Sequence, residues 1–452
     1  MAWRKGRQSI TEKASYSGGF YKLRLTGQGK GGKRGGAMKA KAKAKKADYL
    51  KRTMTDTVKM VSEHFPCVLL TGARQVGKST LLRRIMPKGM RYVSLDSVAT
   101  ARMAENDPEG FLRAYGTPLC IDEIQYAPAL MRSIKAVVDG NRRNGMYWLT
   151  GSQRFHLMQG LSESLAGRIA VLELYSLSQR ESCGKGGKAS YLDPTNPASA
   201  AAGMRACTTD ELFERIVRGG YPEMVNDPGM PSDVFFESYV NSYLERDVSA
   251  LTQVGDKGAF LQLMRILALR TGEQLSYAKV AQAAELSPST AKRWISILET
   301  SGIITMLHPY CTNSTKRLVK TPKMHFMDSG LCAWLAGITS AAHLKNSPLV
   351  GHIVESWVFS QLLRGYANCG RTCRISYFRD KAGHEVDMLL EENGRLYPIE
   401  VKLSGTPSLD DLAAVRHIPT GRLKLGGGVI ICNIPKPLPL GFDNIALPIS
   451  AI

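Results

Sequence analysis

The sequence contains no C-x-x-C pair. Its nine cysteines, at 67, 120, 183, 207, 311, 332, 369, 373 and 432, are scattered and odd in number. This argues against a disulfide framework and a structural zinc site, and it fits reduced thiols in a cytosolic protein. No uninterrupted apolar run approaches the roughly 18 residues of a membrane span. The N-terminus also lacks the apolar core of a secretory signal, so a cytoplasmic protein without a membrane segment is expected. Acidic residues are scarce as well, with 39 Asp/Glu against 60 Lys/Arg, a net charge of +21. The imbalance is local. Residues 1–52 hold 16 basic residues against Glu12 and Asp48, a net of +14, and the remaining 400 hold 44 against 37, a net of +7. The globular part is therefore only mildly basic.

The first 47 residues are short of apolar side chains and rich in Gly, Lys and Ala, as in Gly27-Gln28-Gly29-Lys30-Gly31-Gly32-Lys33-Arg34 and Lys39-Ala40-Lys41-Ala42-Lys43-Ala44-Lys45-Lys46. Such a stretch cannot bury a core and is expected to be disordered. It would neutralise phosphates of DNA or RNA without reading sequence. Its alternatives are a solubilising tail, or a segment outside the native chain, with translation starting at Met38 or Met54.

The rest of the chain is organised around Gly72-Ala73-Arg74-Gln75-Val76-Gly77-Lys78-Ser79-Thr80. An apolar strand, Cys67-Val68-Leu69-Leu70, precedes it, and Leu81-Leu82-Arg83-Arg84-Ile85 continues it as a helix. This is the Walker A arrangement. The glycines let successive backbone N–H groups turn toward phosphate oxygens, and the helix N-terminus adds partial positive charge. Lys78 would reach the β- and γ-phosphates and the Ser79 hydroxyl would ligate Mg²⁺. About 44 residues on, Leu119-Cys120-Ile121-Asp122-Glu123 has Walker B form: Asp122 for the Mg²⁺, Glu123 for the attacking water. A third strand, Met146-Tyr147-Trp148-Leu149-Thr150, ends in Gly151-Ser152-Gln153, where Ser152 is a candidate for γ-phosphate contact or an ordinary turn residue. Arg168 would face a phosphate of its own site or a neighbour's, or else form a surface salt bridge. A role in a neighbour's site would require an oligomer.

Strands alternating with helices predict an α/β P-loop domain with a parallel sheet over residues 48–180. A flexible insertion loop is expected at 181–211, rich in Gly, Pro and Ala, followed by a helical linker region at 212–257. Residues 258–349 read as a winged helix-turn-helix, with Ser287 as N-cap and Pro288 at the first turn of its third helix. In that helix Ala291, Trp294, Ile295 and Leu298 share one face and leave Ser289, Thr290, Lys292, Arg293 and Ser296 outside it. This suits a recognition helix on double-stranded DNA, or a unit used only for packing. Residues 350–452 read as a small α/β unit. On its strands Asp387, Glu400 and Lys402 form a D…E-x-K pattern, with Glu355 as a possible fourth member. Asp387 and Glu400 would hold Mg²⁺ and Lys402 would orient water against a phosphodiester, or all three are ordinary strand charges.

Taken in order, these motifs resemble prokaryotic AAA-type ATPases with a C-terminal domain of unknown function that is similar to the PD-(D/E)xK nuclease fold. The order continues through Ala166-Gly167-Arg168, Arg218-Gly219-Gly220-Tyr221-Pro222-Glu223, Glu245-Arg246-Asp247, Lys320-Thr321-Pro322-Lys323 and Asp328-Ser329-Gly330. The resemblance covers roughly residues 48–430 and implies ATP and Mg²⁺ as cofactors, with nucleotide binding at Gly72, Gly77, Lys78, Ser79 and Asp122. Two functions remain open. One is a Mg²⁺-dependent ATPase acting on or near DNA; the other is a slow nucleotide switch that engages a protein partner.

Overall fold

The computed structural model describes residues 49–152, 165–187, 190–244, 256–312 and 321–452. Readings made on residues 1–47, Gln153, Glu245-Arg246-Asp247 and Lys320 lie outside them.

Five strands form the first sheet: β1 (Cys67–Thr71), β2 (Arg91–Ser94), β3 (Leu119–Asp122), β4 (Tyr147–Gly151) and β5 (Ile169–Glu173). Their order is β2-β3-β4-β1-β5 and every pairing is parallel. Each residue of β1, β3 and β4 is buried, as expected for apolar strands covered on both faces by crossover helices. Among those helices are Lys78–Ile85, Pro108–Tyr115 and Leu130–Gly140. The second begins as its sequence dictates: the Asp107 side chain accepts from the Gly110 N–H and proline follows at the first turn.

Helix Thr209–Arg218 starts in a capping box between Thr208 and Glu211 and buries Leu212, Phe213, Ile216 and Val217 on one face. Helices Lys257–Ala268, Tyr277–Ala283 and Pro288–Thr300 come next, each N-capped by an Asp or Ser side chain. Strands β6 (Ile304–Leu307) and β7 (Lys323–Phe326) pair antiparallel after them. In helix Pro288–Thr300, Ala291, Trp294, Ile295 and Leu298 are buried, whereas Ser289, Lys292, Arg293 and Ser296 are exposed.

The second large sheet is mixed: β8 (Ile375–Arg379), β9 (Glu385–Glu392), β10 (Arg395–Val401), β11 (Lys424–Leu425), β12 (Val429–Cys432), β13 (Leu438–Gly441) and β14 (Asn444–Pro448). The order is β13-β14-β12-β10-β9-β8, with β11 beside β10. Helix Val350–Asn368 ties the chain together, packing against β5, β7 and β10. It is buried nearly all round, which a helix in the interior of a large core requires.

Within the expected flexible loop at 181–211, part of the chain is packed. Leu192 and Ala200 are buried, the Tyr366 hydroxyl donates to the Leu192 carbonyl at 3.0 Å, and a 3-10 turn at Pro197–Ala201 packs on β14. Ala47–Ile452 is one compact unit whose main core cluster draws on every region.

Candidate functional site

The Walker A turn is built where β1 ends. Gly72 has φ +142°, and a Cβ there would lie 2.0 Å from the Leu174 carbonyl oxygen. Gly77, at φ +93°, caps the helix that begins with Lys78. Only glycine meets both demands without strain. The Lys78 ammonium is folded onto the loop itself, donating to the carbonyls of Gly72 at 2.9 Å and Ala73 at 2.8 Å. Arg52 holds the same loop from outside. Its guanidinium donates to the Val76 carbonyl at 2.7 Å and the Tyr175 carbonyl at 2.7 Å, and pairs with the fully buried Glu181 at 3.2 Å.

At the end of β3, Asp122 gathers three hydroxyls. Ser79 Oγ donates to its Oδ1 at 2.8 Å, Tyr92 donates to Oδ2 at 2.7 Å, and the Thr150 hydroxyl also donates to Oδ1. Burial, and then the bond to Asp122, push the Tyr92 phenol well above its usual range, so it stays a donor. Glu123 adopts a left-handed backbone, φ 58°, unusual for a residue with a side chain. Its N–H donates to Thr150 Oγ1 at 3.0 Å. Its carboxylate accepts from Gln125 Nε2 and from Ser152 Oγ, the latter at 3.4 Å.

A second group of charges lies between β7, β9, β10 and helix Val350–Asn368. Lys323 Nζ, on a side chain only 5% exposed, pairs with Glu355 at 2.8 Å and Glu385 at 2.6 Å. Burial alone would lower the Lys323 pKa, but Glu355, Glu385 and Asp387 hold it above the usual lysine range. Asp387 Oδ2 accepts from the Val401 N–H at 2.9 Å, and Lys402 Nζ donates to Glu400 Oε2 at 3.3 Å. Burial first, and Asp387 second, raise the pKa of both Glu355 and Glu400. Among the described residues, three potential ligand atoms come within 4.8 Å of one another at Asp380, His384 and His417, rather than at Glu355, Asp387 and Glu400. There the two imidazoles stack face to face at 3.7 Å and Asp380 hydrogen-bonds His384 at 2.7 Å. In-plane lone pairs of parallel rings do not converge on one ion.

Comparison with known proteins matches three successive regions of the chain. Residues 64–183 match the model of an AAA domain, residues 209–342 a domain of unknown function (DUF8612), and residues 350–452 another domain of unknown function (DUF4143). Uncharacterized protein Rv2008c of Mycobacterium tuberculosis is 30% identical over 348 residues, which is 76% of this chain and 72% of the relative. Uncharacterized protein Mb2031c of Mycobacterium bovis matches to the same extent. The chain belongs to the family of these mycobacterial proteins, with an AAA-type P-loop domain at residues 64–183. Among solved structures, a Walker-type ATPase of Pyrococcus abyssi aligns with a TM-score of 0.40 at 14% identity, covering 64% of this chain and 99% of that one. Thermotoga maritima RuvB, titled a Holliday junction branch migration motor, aligns with a TM-score of 0.27 at 17% identity, covering 56% and 85%. Nucleotide binding is implied by the P-loop fold of the family, and no helix among the described residues is long and apolar enough to cross a membrane.

Of the family-type residues expected from sequence, Gly72–Thr80, Asp122, Glu123 and Ser152 come together at one end of the parallel sheet. Arg168 does not. It precedes β5, its carbonyl accepts from the Cys67 N–H at the start of β1, and its guanidinium pairs with Asp139, at 3.1 Å for the longer contact. It therefore stands at the opposite end of the strands from the Walker A loop and is no part of this chain's own nucleotide site. Asp387, Glu400 and Lys402 do converge, and Lys323 enters beside them. Tyr92, Thr150, Gln125, Arg52 and Lys323 are site residues that sequence reasoning misses. Thr150 and Gln125 lie inside recognised motifs, which is the signal that could have found them, whereas nothing local marks Arg52 or Tyr92.

Proposed function

We propose that this chain is a Mg²⁺-dependent ATPase that acts at double-stranded DNA. One observation carries the ATPase reading: Ser79 Oγ and Asp122 Oδ1 lie 2.8 Å apart beside Glu123. A hydroxyl and a carboxylate are the oxygen donors a hard cation takes, so these residues fit Mg²⁺. Ser79 and Asp122 would hold the Mg²⁺, which would offset the negative charge of the phosphates. The rest is done by the chain. Backbone N–H groups of Gly72–Thr80 hold the phosphates, and Lys78 exchanges its own loop carbonyls for phosphate oxygens. Glu123, held by Gln125 and Ser152, orients the attacking water.

The DNA reading is supported by the exposed Ser289, Lys292, Arg293 and Ser296 on helix Pro288–Thr300, the helix that a winged helix-turn-helix lays in a major groove. Steady-state ATP hydrolysis with and without duplex DNA tests both parts. Lys78→Ala is the background control, and Lys292→Glu with Arg293→Glu tests the helix. DNA stimulation lost in the double variant supports the reading; stimulation unchanged in it contradicts the DNA contact.

A second reading, a slow nucleotide switch with a protein partner, is favoured by Lys323. In a PD-(D/E)xK-like domain the carboxylates Glu355, Asp387 and Glu400 would serve metal and Lys402 water, but here a lysine from β7 is ion-paired inside the cluster. The C-terminal domain then binds rather than cuts. Mg²⁺-dependent cleavage abolished by Asp387→Ala would overturn that view.

A further inference from the structure

The motif Arg218-Gly219-Gly220 takes no part in the site above. It walls a cavity of about 580 Å³ between the segment after β5, residues 204–228 and helix Val350–Asn368. Five cationic side chains line it, Lys185, Arg205, Arg215, Arg218 and Arg364, and among the described residues no carboxylate does. The two glycines let the wall close in. A Cβ on Gly220 would lie 2.5 Å from the Leu177 carbonyl oxygen, and one on Gly219 would lie 2.3 Å from Asp328 Oδ1.

Two buried lining residues carry hydrogen-bond donors without a partner among the described residues. Gln179 is 4% exposed and its Nε2 is open; Arg364 is 3% exposed and its Nε is open. Both residues are otherwise fixed. The Gln179 backbone N–H donates to Gln361 Oε1 at 2.8 Å, and Arg364 donates to the Leu177 carbonyl at 3.0 Å and Ser176 Oγ at 2.9 Å. Buried donors left open are costly and uncommon in native proteins. Arg364 is balanced by Asp328 at 3.8 Å and Arg218 is held by the carbonyls of Met224 and Met230, which leaves Lys185, Arg205 and Arg215 as a cationic lining that complements an anion, and guanidinium groups suit phosphate oxygens in particular. The remaining wall is apolar, with Leu177, Met204, Val225, Pro228 and Trp357. The volume lies within the range of small-molecule sites, about 300–1,000 Å³.

We propose that this cavity is a second ligand site, separate from the Walker A loop, for a nucleotide-sized organic phosphate. The phosphate lies against Lys185, Arg205 and Arg215, and the organic ring against Trp357 and its apolar neighbours. The site does not depend on the ATPase reading.

The test uses the full-length chain carrying Lys78→Ala, which weakens the Walker A loop. It is titrated with AMP and with inorganic pyrophosphate, monitored by calorimetry and by tryptophan fluorescence. The expected result is saturable binding of both probes, weakened at least tenfold by Arg205→Glu and by Arg215→Glu with the circular dichroism unchanged. Trp357→Phe should remove the fluorescence response and keep the heat. Tighter binding of AMP assigns the apolar wall to the ring, and equal binding assigns the site to phosphate alone. Absence of saturable binding, or titrations that ignore both charge reversals, overturns the proposal.

Discussion

Two carboxylate clusters in this chain meet the same problem, concentrated negative charge, in opposite ways. At the end of β3, Asp122 is partnered by the neutral hydroxyls of Ser79, Tyr92 and Thr150. Hydroxyls fix the carboxylate in place without bringing a charge of their own. Near β9 and β10 the partners are ammonium groups that belong to the chain: Lys323 for Glu355 and Glu385, Lys402 for Glu400. The same residue types thus stand among neutral hydroxyls in one region and among lysines in the other.

The sharpest way to break the comparison is to remove the internal cation. Lys323→Met leaves the buried Glu355 without its ammonium partner, while the part-exposed Glu385 keeps Arg379. Unfolding free energy should fall by about 3–5 kcal/mol, the usual cost of orphaning a buried charge, as read by denaturant titration. Adding Glu355→Gln should recover part of that loss. An unchanged midpoint would mean that the ammonium contributes nothing to the cluster. At the other site, Lys78→Ala should lower ATP hydrolysis by about 10²–10³-fold, the scale for losing a donor to developing charge, with little change in stability. Tyr92→Phe removes one of the three hydroxyls. It should weaken Mg²⁺-dependent turnover by an amount equivalent to about 1.5–3 kcal/mol, the range for a bond to a charged group. A Tyr92→Phe enzyme with wild-type Mg²⁺ dependence would remove Tyr92 from the account.

A further effect is one of pH. Glu355 and Glu400 are raised from 4.5 to about 8, by burial first and by Asp387 second. A folded-state pKa above the unfolded value means that the native chain binds the extra protons. Their stabilising contribution is therefore complete below about pH 4.5 and lost as pH rises through about 8. Stability measured between pH 5 and 9 should decline, and Glu400→Gln should flatten the decline. A slope unaffected by that substitution would show that Glu400 is not among the titrating groups.

How much of the fold and the site is legible in the sequence depends on whether each feature is local. Gly72–Thr80, Asp122–Glu123 and the alternation that makes a parallel sheet are short-range patterns, and the structure brings them together as expected. So are the Ser287 cap, helix Pro288–Thr300 and the pairing of Ile304–Leu307 with Lys323–Phe326. Lys323 ends the motif Lys320-Thr321-Pro322-Lys323, but its ion pairs are made by Glu355 and Glu385 from elements brought up later in the chain. For Arg168 the sequence leaves a phosphate contact and a salt bridge both open, and the structure shows the salt bridge. Its neighbourhood, Ala166-Gly167-Arg168, looks like a phosphate-facing motif, but strand direction carries it to the far end of the sheet and onto Asp139. The segment at 190–211 has loop composition, yet Tyr366 and β14 give its few apolar residues somewhere to bury. Arg52 sits beside a basic tail and reads as more of the same, although it is buried against Val76, Tyr175 and Glu181.

The central claim is that the hydroxyl-lined carboxylate Asp122 receives a metal and that the site hydrolyses ATP. The direct measurement is steady-state ATP hydrolysis by the full-length chain across a Mg²⁺ titration, with Asp122→Asn beside the wild type. The account predicts Mg²⁺-dependent turnover in the wild type, and in Asp122→Asn a rate near background with a Mg²⁺ requirement shifted to higher concentration. Wild-type turnover and Mg²⁺ dependence in Asp122→Asn would contradict it.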